Sequence, residues 1–205
     1  MDRLKIIYSS KAKHLKWLQD KHNQCFISWI RSQVATELEL PNNTISDTLK
    51  WIPHGHSPSV ITYSSYVMNG IHYNTEHRDG VCNVQNSGVC LVANTMQISS
   101  AKDKHPIVTN MLFYGVIQEI WELNYINFKI IMFKCNWVHS VSDVRTDELE
   151  FTLVNLKRID HKTDSFILTS QAKQVFFLED PSNSQWLVML NPLNREYEDH
   201  INDES

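Results

Sequence analysis

Ten histidines are distributed along the chain, and the imidazole side chain is a common zinc ligand. A four-ligand zinc site is one alternative, and the residues with suitable order are His54, His56, His72 and His77, with Cys82 and Cys90 after them. Structural zinc sites generally use tighter pairs such as CxxC or HxxxH. Scattered surface histidines are therefore the preferred interpretation, and we predict no metal and no other cofactor.

Carboxylates form a second group that has catalytic potential, at Asp143, Asp147, Glu148 and Glu150. Carboxylates that converge on Mg²⁺ are what a metal-dependent nuclease requires, so a nuclease fragment is one alternative. A charge run between two predicted strands is more often a solvated loop. The sequence also contains no GxSxG elbow, no Walker lysine loop and no GxGxxG strand turn. We therefore predict that the chain is not an enzyme.

The composition indicates a folded protein of modest size. The 205 residues are 42% hydrophobic and 20% charged, which suits one core with an appendage and is too apolar for disorder throughout. The four cysteines form no CxxC pair, and the chain has neither an apolar run near 18 residues nor a signal-like leader. These features predict free thiols and an intracellular location, with no secretion and no membrane contact.

The N-terminal region has helical periodicity over residues 14–35. The apolar side chains that would share one stripe of an amphipathic helix are Leu15, Leu18, Cys25, Phe26, Trp29, Ile30 and Val34. The start of this helix carries three basic residues, Lys11, Lys13 and Lys16, whose charges are one candidate contact with nucleic acid. A solvated helix face is the commoner explanation for such lysines. The overall net charge of -4 supplies no large excess of cations for phosphate binding.

The rest of the chain has the composition of β-strands, because β-branched and aromatic residues occur in short runs. The predicted strands are residues 60–63, 66–73, 89–93, 112–123, 128–138, 151–156, 175–178 and 186–190, with surface loops at 74–88 and 94–110. Asn69 and Gly70 predict a tight hairpin turn, whereas Asp79 with Gly80 suits positive φ in a loop. The fold class is α+β, predominantly β: an N-terminal amphipathic helix followed by a compact antiparallel sheet or a partly closed SH3-like or OB-like barrel.

Several aromatic side chains offer a stacking platform for single-stranded nucleic acid or a pocket for a peptide, at Trp121, Tyr125, Trp137, Phe176 and Trp186. Most of them fall in the apolar phase of strands, so core packing is the preferred interpretation for the tryptophans. Tyr114 and Tyr125 are the better surface candidates. Lys129 and Lys134 add positive charge beside them if they face the same side.

Longer stretches of the sequence resemble a known family. The segments are IHYNTEHRDGVCNVQNSGVCLVA (71–93), ISSAKDKHPI (98–107), FYGVIQEIWELNY (113–125), FKCNWV (133–138), TDELEFTLVNLKRI (146–159) and SFILTSQAKQVFFLEDP (165–181). They resemble a plant domain of unknown function that occurs in proteins of CACTA, or En/Spm-type, transposons, towards the C-terminal side of the transposase. FISWIRSQV (26–34) and residues 45–70 resemble the segment that leads into this domain.

The resemblance implies a particular setting without implying a reaction. The domain has no assigned activity, and transposition chemistry is attributed to a separate nuclease domain of the transposase. It suggests a nuclear location. Together with the residue patterns it predicts a helical flanking segment at 1–50 and the β-rich transposon-associated domain at 51–192, and the charges of the C-terminal residues predict an acidic, disordered tail at 193–205. The resemblance also suggests that the chain is an isolated reading frame from a decayed element.

Three interpretations of function remain open at this stage. The chain is an accessory module with weak nucleic-acid contacts, a protein-interaction module that docks on transposase or a host protein, or a remnant with no selected activity. The transposon resemblance favours the first, and the acidic net charge favours the second. The oligomeric state is not predicted.

Overall fold

A computed structural model describes residues 2–97, 107–138, 142–160, 165–180, 183 and 185–192. The chain forms two compact units: Met1–Val60 with Leu123–Ile130, and Ile61–Glu122 with Ile131–Ser205. The predicted acidic tail at 193–205 lies outside the described residues. Each unit has its own secondary structure and is described separately below.

The first unit is helical apart from the strand ends of residues 123–130. Its α-helices are α1 (Asp2–Ile7), α2 (Leu15–Leu38) and α3 (Asp47–Trp51), with single 3₁₀ turns at Ser9–Lys11 and Ile52–His54. The predicted long helix is confirmed, and it ends before Pro41, which cannot continue a helix. Ser46 caps α3, because its hydroxyl accepts a 3.3 Å hydrogen bond from the backbone N–H of Leu49.

The apolar stripe predicted along α2 is only partly buried. Leu18 and Val34 are buried, whereas Trp29 is 43% exposed. The Trp29 ring instead packs beside Phe26 on the helix surface, with centroids 6.0 Å apart. The Arg31 guanidinium donates a hydrogen bond to the carbonyl of Pro53, which joins α2 to the second 3₁₀ turn.

The second unit is built mainly from short antiparallel strands and one short helix, α4 (Glu76–Asp79). The strands, including two whose ends reach into residues 123–130, are β1 (Ile61–Tyr63), β2 (Ser65–Met68), β3 (Ile71–Asn74), β4 (Gly88–Gln97), β5 (Ile107–Asn124), β6 (Lys129–Val138), β7 (Val144–Thr146), β8 (Thr152–Val154), β9 (Ile159–Asp160), β10 (Phe166–Leu168), β11 (Lys173–Gln174), β12 (Phe176–Glu179) and β13 (Leu187–Leu190). A 3₁₀ turn at Thr169–Gln171 separates β10 from β11.

The strands form three sheets. The largest sheet has the strand order β10-β6-β5-β4-β11, and in addition β1 pairs with β5 and β9 pairs with β6. The second sheet has the order β12-β13-β8-β7, and the third consists of β2 and β3. Every strand pair whose register the structure describes is antiparallel. The predicted α+β class and the antiparallel sheet are confirmed. Within the described residues no closed barrel forms, because the path of strand pairing ends at β10 and β11.

Backbone φ angles test the two turns predicted at Asn69–Gly70 and Asp79–Gly80. Asn69 and Gly70 have φ of 51° and 75°, so the hairpin turn between β2 and β3 is confirmed. Gly80 has φ of -62°, so this glycine does not adopt the positive φ that the sequence suggested for the loop. Asp79 organises its loop instead, because its carboxylate accepts hydrogen bonds from the backbone N–H groups of Asn86 and Ser87 at 2.9 and 2.8 Å.

The predicted loop at 94–110 is wrong at both of its ends. β4 continues to Gln97 and β5 begins at Ile107, and the two strands pair residue by residue from Gly88 with Val116 to Gln97 with Ile107. The polar residues of this segment do not alternate with apolar residues in the way that identifies a strand, so the sequence did not indicate that β4 and β5 extend into it. Residues 98–106, where the connection runs, lie outside the described residues.

Two buried clusters form the core of the second unit. The first contains Tyr73, Val89, Ile117, Ile120, Phe133, Cys135, Trp137 and Ile167, and the second contains Cys90, Tyr114, Val116, Val138, Val154, Val175 and Phe177. The strand predicted at 128–138 alternates as a half-buried strand does, because Phe133, Cys135 and Trp137 are buried and Lys134 is not. Gly115 permits the close approach of Trp137: a Cβ there would lie 2.7 Å from both the Asn136 carbonyl and the Trp137 ring.

Candidate interaction surfaces

The four histidines that were weak candidates for metal ligands have aromatic neighbours or exposed positions. The His54 ring lies 5.7 Å from that of Trp51, whereas His72 on β3 and His77 in α4 are exposed. In the part of the chain that the structure describes, no group of three or more His, Cys, Asp or Glu side chains is placed to hold a metal ion. Burial raises the pKa of the Cys90 and Cys135 thiols, which disfavours their thiolate forms at neutral pH.

The predicted acidic cluster has structural partners. Asp143 is buried, accepts a 2.8 Å hydrogen bond from the Ser142 hydroxyl, and lies 3.8 Å from the Arg158 guanidinium. The Asp147 carboxylate accepts hydrogen bonds from the backbone N–H groups of residues 149 and 151 at 2.9 and 2.8 Å. Both carboxylates therefore hold the β7–β8 region in shape.

Tyr114 is not a surface residue, and the prediction that it is exposed is wrong. Its side chain is 4% exposed and belongs to the second core cluster. Burial raises the pKa of its phenol, with a further contribution from Cys90. The error arises because β5 is covered on both faces at this point, as the burial of its neighbours Val116 and Ile117 shows.

A partly exposed surface, here named the tryptophan face, is formed by Trp121, Phe166, Leu168, Glu119 and Lys134. Phe166 on β10 is the cross-strand partner of Lys134 on β6. The Trp121 and Phe166 rings meet edge to face, with centroids 4.8 Å apart. Phe166 and Leu168 are 36% and 39% exposed. Strands β5 and β10 thus contribute the aromatic and aliphatic groups of this face, and β6 contributes Lys134.

An irregularity in β5 explains why Trp121 faces outward. Ile117 and Ile120 both belong to the first core cluster, although residues three apart on a regular strand point to opposite faces. The alternation must therefore break between them. Beyond the break, Glu119 and Trp121 share the side opposite to Ile120, which strict alternation read from the sequence could not indicate.

The charges of the tryptophan face compensate one another. Glu119 accepts a 2.6 Å hydrogen bond from the Lys134 ammonium and a 2.8 Å hydrogen bond from the Trp121 indole N–H. These two donors, Lys134 first, lower the pKa of the Glu119 carboxyl. The Lys134 ammonium also lies 6.0 Å from the centroid of the Trp121 ring. The face therefore presents an ion pair together with apolar surface, and its lysine is already paired.

A second surface, here named the hairpin tip, consists of residues 124–128 between β5 and β6. The Tyr125 and Phe128 rings stack with centroids 4.9 Å apart and an interplanar angle of 4°, and the His56 ring meets Tyr125 at 5.9 Å. Ile126 is 74% exposed and has φ of 74°. Tyr125 is thus placed near the surface as predicted, although one side of its ring is covered by Phe128.

The remaining predicted basic residues lie at the ends of elements. Lys11 ends the first 3₁₀ turn, Lys13 follows it, and Lys16 is in the first turn of α2; all three are exposed. Lys129, at the start of β6, is also exposed. Nucleic-acid binding by these lysines stays a prediction.

Comparison with known families finds one match. Residues 121–189 match the family described as "Domain of unknown function (DUF4216)", which covers less than half of the chain. The matched range includes the whole hairpin tip and four residues of the tryptophan face, Trp121, Lys134, Phe166 and Leu168, whereas Glu119 lies before it. No curated protein and no solved structure matches the chain. None of the described helices is long and apolar enough to cross a membrane.

Proposed function

We propose that the chain is a non-catalytic protein-interaction module of a CACTA-type transposon protein, and that it docks on the transposase in the nucleus through the tryptophan face. The sequence resemblance is the support for the transposon setting, and the family match at residues 121–189 adds only a domain of unknown function. The structural partners of Asp143 and Asp147, and the raised pKa of the buried thiols, support a role without catalysis.

The observation that carries this proposal is the contact between Glu119 and Lys134. A surface that binds the phosphate backbone needs cations that exchange counterions for phosphate. At the tryptophan face the lysine is held by a carboxylate at 2.6 Å, so an approaching phosphate would compete with Glu119 and meet its negative charge. A protein partner meets no such penalty, because it can cover the apolar groups and leave the ion pair at the rim.

The aromatic content of the face also suits a protein partner. Interface residues that contribute most to affinity are often tryptophans in the centre of an apolar patch. Trp121 contacts Phe166 edge to face, and Leu168 lies two residues beyond Phe166 on β10. Its indole N–H is already satisfied by Glu119, so the ring can be covered by a partner without leaving a donor unpaired.

Two binding measurements test the proposal. The purified chain is passed over an immobilised CACTA-type transposase in biolayer interferometry, and in parallel is titrated into labelled short duplex and single-stranded DNA across a salt series. We expect saturable binding to the transposase and no DNA binding that depends on the tryptophan face. Absence of transposase binding would contradict the proposal and favour a remnant without selected activity.

A second function is favoured by the exposed lysines of the first unit. Lys11, Lys13 and Lys16 lie within six residues of one another and are all exposed, which is the arrangement that a weak phosphate contact requires. In this alternative, the N-terminal helices add an auxiliary contact with nucleic acid. A DNA affinity that falls steeply with salt and depends on these lysines supports it.

A further inference from the structure

Three aromatic rings follow one another along the surface of α2. His22, Phe26 and Trp29 are four and three residues apart in the sequence, so they lie on the same side of the helix. The His22 and Phe26 ring centroids are 5.2 Å apart, and those of Phe26 and Trp29 are 6.0 Å apart. His22 and Phe26 are half-buried, and Trp29 is 43% exposed. These three residues are named the aromatic ladder.

The second half of α2 packs within the first unit through the side that faces away from Trp29. Arg31, which donates its hydrogen bond to the carbonyl of Pro53, follows Trp29 by two residues, and two residues turn a helix by about 200°. Val34, which is buried, follows Trp29 by five residues and points about 140° away from it. These contacts therefore leave the outer face of the Trp29 ring open.

The first unit is positively charged, although the chain as a whole carries a net charge of -4. Its residues 1–60 and 123–130 contain nine Lys or Arg side chains and five Asp or Glu side chains, a net charge of +4. Among the described residues, no carboxylate forms an ion pair with the four lysines that precede or adjoin the aromatic ladder, Lys11, Lys13, Lys16 and Lys21. Their ammonium groups can therefore exchange counterions for phosphate.

These lysines lie close to the rings along the same helix. Lys21 is the neighbour of His22 in the sequence, and Lys16 precedes His22 by six residues, which is about 9 Å along a helix axis. Rings that stack bases and cations that meet the backbone are the two elements of single-strand recognition. Both are present in α2.

We propose that the first unit binds single-stranded nucleic acid, with bases stacked on the aromatic ladder and phosphates beside the lysines. This inference rests on the second function proposed above, the auxiliary contact with nucleic acid, and it names single strands as the ligand. An unpaired base offers its face to an aromatic ring, whereas the bases of a duplex are stacked on one another. A protein is the competing occupant of the helix face, but protein interfaces are depleted in lysine, so a protein accounts less well for the unpaired charges.

The test compares Trp29→Ala with Ile27→Ala in the full chain. Ile27 is a matched control because it has a similar exposure, 46%, and lies on the opposite side of the same helix. Fluorescence anisotropy measures binding to a labelled oligothymidylate strand and to a duplex of the same length. We expect Trp29→Ala to weaken binding of the strand at least about fivefold and binding of the duplex less than about twofold. Ile27→Ala should leave both affinities within about twofold.

Two further readouts separate stacking from a merely structural role of Trp29. Trp29→Phe keeps an aromatic ring and should bind the strand within about threefold of the wild-type chain. Trp29→Ala should leave the slope of log affinity against log salt unchanged, because no phosphate contact is lost. A variant whose weaker binding came from a disordered helix would instead change this slope together with the affinity, and that result would overturn the inference.

The outcomes separate the aromatic ladder from the nucleic-acid function on which it rests. If replacement of Lys11, Lys13 and Lys16 weakens binding and Trp29→Ala does not, the phosphate contact stands and the stacking is contradicted. If the wild-type chain binds neither probe, the nucleic-acid function fails, and the stacking fails with it. Transposase binding that Trp29→Ala abolishes, without strand binding by the wild-type chain, would assign the helix face to a protein. An oligouridylate strand distinguishes RNA from DNA as the source of single strands, and tighter binding of either strand than of the duplex supports the inference.

Discussion

The side chain of Gln85 pairs with the backbone of Phe177 as a neighbouring strand would. The Phe177 N–H donates to Gln85 Oε1 at 2.7 Å, and Gln85 Nε2 donates to the Phe177 carbonyl at 3.2 Å. Two residues earlier, the Val175 N–H donates to the Gly88 carbonyl at 3.0 Å. Gln85 therefore continues the pairing that β4 begins, at the point where the chain passes from the first sheet to the second.

Removal of this amide should destabilise the second unit. We expect Gln85→Ala to lower the free energy of unfolding by about 1 to 3 kcal/mol, because two hydrogen bonds are lost and a partly buried backbone pair is left without its partner. Urea denaturation followed by circular dichroism measures the change. The control is Gln24→Ala on the exposed surface of α2, which should be nearly neutral. Equal stability of the two variants would contradict a structural role for Gln85.

Gly115 should tolerate no side chain. A Cβ at this position would lie 2.7 Å from the carbonyl oxygen of Asn136, a backbone atom that cannot move alone. We expect Gly115→Ala to cost about 1 to 3 kcal/mol of unfolding free energy, which thermal melting can measure. At Gly80 a Cβ would meet its nearest atom at 3.5 Å with φ of -62°, so Gly80→Ala should be close to neutral. A Gly115→Ala protein as stable as the control would disprove the close approach of Trp137.

The ion pair of the tryptophan face should be visible in a pH titration. The lowered pKa of Glu119 means that its contribution to stability is present above the pKa of the unfolded chain and is lost as the pH falls through the lower, folded value. The side chain is partly exposed, so the effect on stability is small. The indole N–H NMR signal of Trp121 is the better probe.

We expect this signal to shift with a midpoint below the ordinary glutamate pKa of about 4.3. Glu119→Gln keeps an acceptor but removes the titration, so its Trp121 signal should stay constant over the same range. The signal of Trp137, which is buried in the core, serves as an internal control for unfolding. A Trp121 signal that titrates identically in wild type and Glu119→Gln would contradict the hydrogen bond.

The auxiliary nucleic-acid contact has its own prediction. If Lys11, Lys13 and Lys16 each neutralise one phosphate, their joint replacement by alanine should reduce the slope of log affinity against log salt by about 2.7 for duplex DNA. Fluorescence anisotropy across a salt series measures both slopes. Replacement of Lys134, which is paired with Glu119, should leave the slope unchanged. An unchanged slope in the triple variant would remove the lysines from any phosphate contact.

Much of the fold was predictable because it follows from local patterns. The period of α2, the alternation along β6 and the Asn69–Gly70 turn each depend on residues that are neighbours in sequence. The candidate site was less predictable. The outward position of Trp121 depends on a break in strand alternation near Gln118, and the burial of Tyr114 depends on a second sheet that lies far away in sequence.

The most direct test of the account measures transposase binding by Trp121→Ala in biolayer interferometry, beside Phe151→Ala as the control. Phe151 is also a partly exposed aromatic residue of the second unit, but it lies outside the tryptophan face. We expect Trp121→Ala to weaken binding at least about tenfold and Phe151→Ala to change it by less than about twofold. Equal affinities of wild type and Trp121→Ala for the transposase would contradict docking through the tryptophan face.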